Sequence, residues 1–231
     1  MKYSNKFIAV IPARSGSKSI KDKNIKKINA KPLIAYSIEQ CFKSKVFEKI
    51  YISTDSKKYA KICKRYGPVE IVFRSKKISK DNSTDYQMIK HLINSINLDY
   101  QFIAHIRPTS PQRSVKDIRL AIKQMKNSNF SSLRSVHEMS ETSYKSVEIK
   151  NGKIIPLRKL KLDIEAINQP RQKFPKTYSP NGVIDIYRKQ VILKEKKLFG
   201  KRVKAFQTSF SQEIDNIKDL NYLKYLWRKK K

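Results

Sequence analysis

The sequence predicts an α/β fold: a mostly parallel sheet with helices on both faces, and a small inserted lobe. Segments rich in β-branched and aromatic residues alternate with segments whose apolar residues recur at helical spacing, which is the pattern of βαβ units. With 231 residues, the chain is long enough for one large α/β domain that carries a smaller lobe. Hydrophobic residues make up 39%, which is ordinary for a globular protein, so a disordered chain is not expected.

The first part of the chain is predicted to hold four strands with helices between them. Residues 7–11 form a short apolar run typical of a buried strand, and a loop to about Lys31 precedes a helix over 32–42. The other strands are predicted at 49–53, 70–73 and 102–106, and the other helices at 56–66, 85–96 and 115–125.

The pattern changes after a fifth predicted strand at 131–136. Between 139 and 180 the segments are short and interrupted by proline, so we assign 1–138 and 181–231 to the α/β domain and 139–180 to the lobe. Asn151 and Gly152 both tolerate positive φ and predict a type I′ hairpin. A strand at 182–187 and an amphipathic helix at 216–227 complete the chain.

The formal net charge of +33 is typical of proteins that bind nucleic acids or anionic membranes. The lysines, however, are spread from Lys2 to Lys231 rather than gathered on one element. Sites that distinguish bases usually depend on arginine forks, so we expect no nucleic-acid partner. A basic nucleic-acid-binding protein stays the alternative from a different functional class.

Cysteine content and the first residues bear on the compartment. Cys41 and Cys63 both lie in predicted helices, which excludes a disulfide scaffold in practice and fits a reducing cytoplasm. The apolar run at 7–11 is too short for a signal peptide or a membrane span. We therefore expect a cytoplasmic protein without membrane insertion.

A basic loop, PARSGSKSIKDKN at 12–24, follows the first predicted strand. The carboxyl edge of a parallel sheet is where such folds bind ligands, and this loop would lie there. Arg14 and Lys18, with serine hydroxyls and Gly16, supply cations, hydroxyl groups and accessible backbone N–H groups that suit phosphates. The alternative is an ordinary basic turn.

Glu213 and Asp215 are separated by one apolar residue. On an extended segment both would point to the same side, and Mg²⁺ is commonly held by one or two carboxylates together with phosphate oxygens. The alternative is an acidic segment before a helix, favoured by the helix dipole. The three histidines have no partners at metal-ligand spacing, so zinc is not expected.

Several blocks resemble the CMP-sialic acid synthetases, the N-acylneuraminate cytidylyltransferase family. They are AVIPARSGSKSIKDKNI, PLIAYSI, YISTDS, IRPTSPQRS, NQPRQKFPKTYSPNGVIDIY and SQEIDNIKDL, in the order found in that family. The resemblance extends over nearly the whole chain. It implies a Rossmann-like fold of the nucleotide-diphospho-sugar transferase type and a homodimer in which the lobe contributes to the neighbouring site.

The resemblance also implies the reaction and the nucleotide site. CTP and an acidic nonulosonic sugar would give a CMP-sugar and pyrophosphate, with Mg²⁺ as cofactor. The residues that match the family's nucleotide contacts are Arg14, Ser17, Lys18 and Asn24 for the phosphates and Arg74 for the base. Catalysis would depend on Arg14, Lys18 and Asp215. The family has Asp-x-Asp where this chain has Glu213 and Asp215, so Asp215 is the more direct metal ligand.

The expected sugar contacts include two departures from the family. Arg171 and Lys145 match residues that face the acidic sugar, whereas Arg107 and Asp185 stand where a glutamine and a tyrosine contact it. A changed pocket permits a changed acceptor, so legionaminic acid, pseudaminic acid or an eight-carbon ulosonic acid are alternatives. Ser19 and the pair Lys21-Asp22 also depart from the usual glycine and turn residues of the loop.

Overall fold

A computed structural model describes residues 6–157 and 164–228. The chain forms two compact units. The first comprises Met1–Ser135, Asn181–Phe206 and Ser211–Lys231, and the second comprises Val136–Pro180 and Gln207–Phe210. The role of the predicted lobe at 139–180 in dimerisation and sugar contact stays a prediction.

A seven-stranded sheet has the order β11-β7-β10-β6-β1-β4-β5. Its strands are β1 Phe7–Ala13, β4 Lys49–Thr54, β5 Glu70–Phe73, β6 Phe102–His105, β7 Ser132–Glu138, β10 Tyr178–Arg188 and β11 Val203–Gln207. Strand β1 pairs in parallel with both β4 and β6, and β4 pairs in parallel with β5. Strand β10 runs antiparallel to β6. The predicted α/β fold with a mostly parallel sheet is confirmed.

The predicted helices are present, with ends that differ by a few residues. They are α1 Leu33–Ser44, α2 Lys57–Cys63, α3 Asp85–Ser95, α4 Val115–Lys126 and α7 Ile217–Arg228. Side chains of Ser56, Thr84 and Ser114 cap α2, α3 and α4 by accepting hydrogen bonds from backbone N–H groups of the first turn. Helix α6 (Lys189–Glu195) and strand β11 were not predicted from the sequence.

The region predicted as one loop before Lys31 contains a short hairpin of β2 (Lys27–Ile28) and β3 (Lys31–Pro32). Asn29 and Ala30 join its strands with φ of 49° and 62°. Alanine seldom takes positive φ, so the sequence signal for this turn is weak.

Both faces of the sheet are covered, and β1 shows this most clearly. Ala9 and Ile11 belong to one core cluster, whereas Ile8 and Val10 belong to another. Residues of α1, α2 and α4 join the first cluster, and residues of α3 join the second. A strand buried on both faces has a continuous apolar sequence rather than an alternating one, as the 7–11 run predicted.

The second unit contains the predicted hairpin. Strands β8 (Val147–Lys150) and β9 (Lys153–Pro156) pair antiparallel, and Asn151 and Gly152 have φ of 50° and 74°. These values confirm the turn with two positive-φ residues. Helix α5 (Ile164–Ile167) is one turn long. Among residues 6–157 and 164–228, no helix is both long and apolar enough to cross a membrane.

Arg113 is a buried hydrogen-bond donor in the first unit and is 2% exposed. Its guanidinium donates to the backbone carbonyls of Val183, Gly182 (3.2 Å) and Arg107 (2.8 Å), and to the hydroxyl of Ser37 (3.2 Å). Burial lowers the pKa of Arg113 to about 10. The side chain thereby links the segment after β6 to β10.

We predict that Arg113→Met lowers the free energy of unfolding by about 3 kcal/mol, because several buried carbonyls lose their donor. Urea denaturation measures this change. Arg119→Met is the matched control: Arg119 is an exposed arginine that donates to the carbonyls of Ser44 and Lys43. Equal destabilisation by the two substitutions would contradict a special role for Arg113.

Candidate active site

The loop after β1 is fixed by a carboxylate from the neighbouring strand. Asp55, which follows β4, accepts hydrogen bonds from Ser15 N (2.8 Å) and Ser15 Oγ (3.0 Å). Asn24 Nδ2 donates to the carbonyl of Arg14 at 3.1 Å. The carboxyl ends of β1 and β4 are adjacent because the strands are parallel, so the two segments can bind each other directly.

The turn at Lys21-Asp22, where the chain departs from the family, has its own anchor. Asp22 has φ of 57° and accepts hydrogen bonds from Tyr59 Oη (2.9 Å) and Lys58 Nζ (3.1 Å). These hydrogen bonds lower the pKa of Asp22, and the one from Tyr59 has a larger effect than the one from Lys58. Asp22 is one of the residue types that tolerate the left-handed conformation, so the turn forms without the usual glycine.

Arg14 and Lys18 share one carboxylate. Arg14 Nη1 lies 2.5 Å from Asp81 Oδ1, and Lys18 Nζ lies 2.7 Å from Asp81 Oδ2. Hydrogen bonds from Lys18 and Arg14 lower the pKa of Asp81. The two cations predicted to bind phosphates therefore lie side by side and already bind an anionic group. Sequence reasoning missed Asp81, which is 67 residues away from Arg14.

These residues border a cleft of about 570 Å³ within the first unit. Its lining includes the predicted nucleotide contacts Arg14, Ser17, Lys18, Asn24 and Arg74, together with Lys23, Asp81, Asp85, His105, Arg107 and Thr109. The structure thus brings all five predicted nucleotide residues to one place. Among the predicted sugar contacts, Arg107 also lines this cleft.

Arg74 has unused donors at the cleft. Its backbone N–H donates to the carbonyl of Thr54 (2.7 Å), which fixes it at the end of β5. Its Nε and Nη2 atoms are buried and have no hydrogen-bond partner within the described residues. Burial lowers the pKa of Arg74. A buried guanidinium with unpaired donors is costly for the fold, which is typical of a group kept for a ligand.

Arg107 is held between two carboxylates. Its Nη1 lies 2.7 Å from Asp185 Oδ2 and its Nη2 lies 2.9 Å from Asp85 Oδ2. Asp185 is completely buried, which raises the pKa of its carboxyl, although Arg107 opposes the rise. His105 is also completely buried. Burial is the larger cause and the charge of Arg107 the next, and together they lower the pKa of His105 to about 3. Its ring is therefore neutral at pH 7.

Glu213 and Asp215 flank Ile214, which is completely buried. Thr109 Oγ1 donates to Glu213 Oε1 at 3.0 Å, and Lys23 Nζ lies 3.5 Å from Asp215 Oδ1. The Asp215 side chain is 72% exposed, and Glu213 is partly buried. Their partners Thr109 and Lys23 line the cleft, whereas the two carboxylates are not part of its lining. Mg²⁺ needs few protein ligands when phosphates share it, and its binding by this pair stays a prediction. No group of three or more potential metal ligands occurs within the described residues.

Gly182 leaves the space that Glu213 occupies. A Cβ at position 182 would lie 2.5 Å from Ser110 Oγ and 2.9 Å from Glu213 Oε1. Any larger residue would displace one of these groups. The glycine of the block SPNGVIDIY is therefore needed for steric reasons, because it lies against Glu213, one of the candidate metal ligands.

The remaining predicted sugar contacts belong to the second unit. Arg171 Nη2 donates to the carbonyl of Met139 (2.9 Å) and lies 3.4 Å from Glu138 Oε1. Lys145 Nζ is 5.9 Å from the centre of the Phe174 ring. Arg171, Glu138 and Phe174 line a cavity of about 380 Å³ in this unit. Contact of Arg171 and Lys145 with an acidic sugar stays a prediction.

An α/β sheet with a cationic cleft at the carboxyl ends of its parallel strands is typical of enzymes that bind nucleotides. A solved structure of CMP:2-keto-3-deoxy-manno-octonic acid synthetase complexed with CTP shares the fold, with a TM-score of 0.74 over 98% of this chain and 100% of that one, at 15% identity. Residues 8–231 match the family model described as cytidylyltransferase, and the chain belongs to that family.

Curated relatives confirm the predicted resemblance. N-acylneuraminate cytidylyltransferase from Escherichia coli is 32% identical over 91% of this chain and 49% of its own length. CMP-N,N′-diacetyllegionaminic acid synthase from Campylobacter jejuni is 29% identical over 95% of this chain and 94% of its own length. This chain spans about half the length of the first, and nearly all of the second.

We predict that Arg74→Met raises the Kd for CTP about tenfold or more while the ligand-free protein is at least as stable as the wild type. Loss of an ionic hydrogen bond costs about 1.5–3 kcal/mol, whereas the unpaired buried guanidinium does not stabilise the fold. Calorimetric titration measures the Kd for CTP, and urea denaturation measures the stability of the ligand-free protein. Arg65→Met, at an exposed arginine, should change neither. An unchanged Kd for CTP would refute the assignment.

Proposed function

We propose that the protein transfers the CMP group of CTP to an acidic nonulosonic sugar. The hydroxyl oxygen on the anomeric C2 of the sugar attacks the α-phosphorus, and its proton passes to water. The bond from the α-phosphorus to the oxygen that bridges it to the β-phosphorus breaks, and pyrophosphate leaves with that bond's electron pair. The products are a CMP-sugar and pyrophosphate.

The observation that carries the proposal is the convergence of Arg14, Lys18 and Arg74 on one cleft in a chain of the cytidylyltransferase family. Phosphoryl transfer is catalysed largely by positioning and by neutralising charge. Arg14 and Lys18 would exchange the Asp81 carboxylate for the more highly charged triphosphate, and they would stabilise the charge that develops on pyrophosphate. Asp55 keeps the loop in place through Ser15.

Asp215 and Glu213 would hold Mg²⁺, with Asp215 as the more direct ligand. When bound, the metal would polarise the phosphate and lower the pKa of the attacking hydroxyl. Asp215 is well suited because its carboxylate is exposed and, among the residues that the structure describes, contacts only Lys23, at 3.5 Å. Glu213 is oriented by the Thr109 hydroxyl, which leaves its second carboxylate oxygen for a ligand.

The acceptor class is supported by the names of the relatives. They include enzymes for N-acylneuraminate and for diacetyllegionaminic acid. A third, from Helicobacter pylori, is named pseudaminic acid cytidylyltransferase and UDP-2,4-diacetamido-2,4,6-trideoxy-beta-L-altropyranose hydrolase, and it is 28% identical over 87% of this chain and 38% of its own length. We therefore propose a nine-carbon acidic sugar, with sialic, legionaminic and pseudaminic acids as the candidates.

We also propose a homodimer in which the second unit supplies Arg171 and Lys145 to the acidic sugar. The hairpin of that unit leaves large apolar side chains uncovered, which supports an interface between copies. The uncovered residues are Val147, Ile149, Ile154, Ile155 and Leu157, and Ile149 is 77% exposed.

The proposed compartment is the cytoplasm. Buried, unpaired Cys41 and Cys63 fit a reducing cytoplasm, where CTP is made. A nucleic-acid partner is not part of the proposed function.

The reaction is tested by supplying CTP, Mg²⁺ and a panel of nonulosonic acids, and by measuring pyrophosphate and CMP-sugar together. We predict pyrophosphate release only when both CTP and an acidic sugar are present. Asp215→Asn should lower kcat at least a hundredfold, because a neutral amide is a poor Mg²⁺ ligand, while CTP still protects the protein from thermal unfolding.

Asp99→Asn is the matched control, since Asp99 is exposed and outside the cleft lining. Full activity of Asp215→Asn would refute the metal assignment. Nucleotide hydrolysis without a sugar, or no turnover with any acid of the panel, would refute the proposed reaction.

A further inference from the structure

The cleft has two ends that are built from different strands. Arg14 and Arg74 follow β1 and β5, whereas Arg107 follows β6 and Asp185 lies on β10. Because the sheet order is β10-β6-β1-β4-β5, the β6–β10 side lies across β1 from the side that carries Arg74. If the nucleotide binds the cations after β1 and β5, the β6–β10 side is the part of the cleft left for the acceptor.

The floor of this second end contains buried polar groups that lack partners. His105 and Asp185 are both completely buried, yet His105 Nε2 and Asp185 Oδ1 make no hydrogen bond within the described residues. Tyr187 Oη donates to Asp185 Oδ2 (3.4 Å) and lies 3.2 Å from His105 Nδ1. Tyr187 must then accept from His105 Nδ1–H, so the unpaired Nε2 of the neutral ring is an acceptor.

Within the described residues, the two arginines of this end lie beside two carboxylates that balance their charge. Arg107 is balanced by Asp185 and Asp85, and Arg134 Nε lies 3.9 Å from Asp185 Oδ1. Of the two carboxylates, Asp185 is completely buried, whereas the Asp85 side chain is 47% exposed. Asp85 Oδ2 binds Arg107, and Asp85 Oδ1 has no partner within the described residues. A molecule that enters this end therefore meets acceptor atoms of Asp85 and His105, beside the N–H groups of Arg107 that the two carboxylates leave unused.

We infer that Asp85 determines acceptor specificity by accepting a hydrogen bond from an O–H or acylamino N–H group of the sugar. Arg107 acts as a positioning residue, because its charge is balanced by the two carboxylates and its Nη2 donates to Asp85. The sugar's own carboxylate binds elsewhere, since Asp85 would repel it. This inference rests on the proposed function and assigns Arg107 an indirect part in sugar binding.

The test combines enzyme variants with sugar analogues. Wild type and Asp85→Ala are assayed with the best acceptor and with analogues that each lack one hydroxyl or acylamino donor. For one analogue, we expect wild type to lose at least tenfold in kcat/KM and Asp85→Ala to show no further loss, because the hydrogen bond is already absent. For the best acceptor, Asp85→Ala should lose at least tenfold, and its Kd for CTP should stay within twofold of wild type.

Arg107→Gln should also weaken the discrimination between those two sugars, and Asp99→Ala should leave it intact. The inference is overturned, while the proposed function stands, if the loss in kcat/KM from Asp85→Ala multiplies with the loss from every analogue. It is also overturned if Asp85→Ala weakens the binding of CTP rather than of the sugar. Absence of wild-type turnover with every acid sugar would overturn the proposed function, and the inference with it.

Discussion

The parallel pairing of β1 with β4 and β6 is the constraint on which the rest of the site depends. It brings the carboxyl ends of neighbouring strands to one edge, so that Asp55 after β4 can bind Ser15 after β1. Without that register, the loop that carries Arg14 and Lys18 would lose its anchor at Ser15. The buried apolar strands specify this register. Because of it, the polar residues that follow the strands lie close enough to form hydrogen bonds with each other.

Electrostatic balance is the second feature of the cleft. Arg14 and Lys18 share Asp81, and Arg107 forms ion pairs with two carboxylates. The buried Nε and Nη2 of Arg74 have no partner in the part of the chain that the structure describes. Cations in a confined cleft repel each other unless anions separate them. At the β1 end the balancing carboxylate is exposed and can be exchanged for phosphates. At the β6 end one carboxylate is buried, which makes that pair a fixed part of the pocket.

The sequence was sufficient for most elements because their apolar patterns and caps are local signals. The strands of the parallel part and the long helices follow from apolar runs, and the Asn151-Gly152 turn follows from residues that accept positive φ. Helix α6 and strand β11 were missed. Strand β11 has three exposed residues, Val203, Ala205 and Gln207, and only Phe206 is buried, so its apolar pattern is weak.

The predicted nucleotide residues do line one cleft, whereas their anionic partners could not be found from sequence. Asp81 and Asp55 bind residues 67 and 40 positions away, and such pairs follow from the fold rather than from spacing. Asp185 was expected to contact sugar directly. It is completely buried and forms an ion pair with Arg107, and its contact with a sugar stays a prediction.

The affinity series of CTP, CDP, CMP and cytidine, measured by calorimetry with Mg²⁺ present, tests the central claim that this cleft holds a triphosphate. Each terminal phosphate that is removed leaves Arg14 and Lys18 with fewer ionic hydrogen bonds, worth about 1.5–3 kcal/mol each. We predict that CTP binds roughly a hundredfold more tightly than CMP. Equal affinities of CTP and CMP would contradict the account.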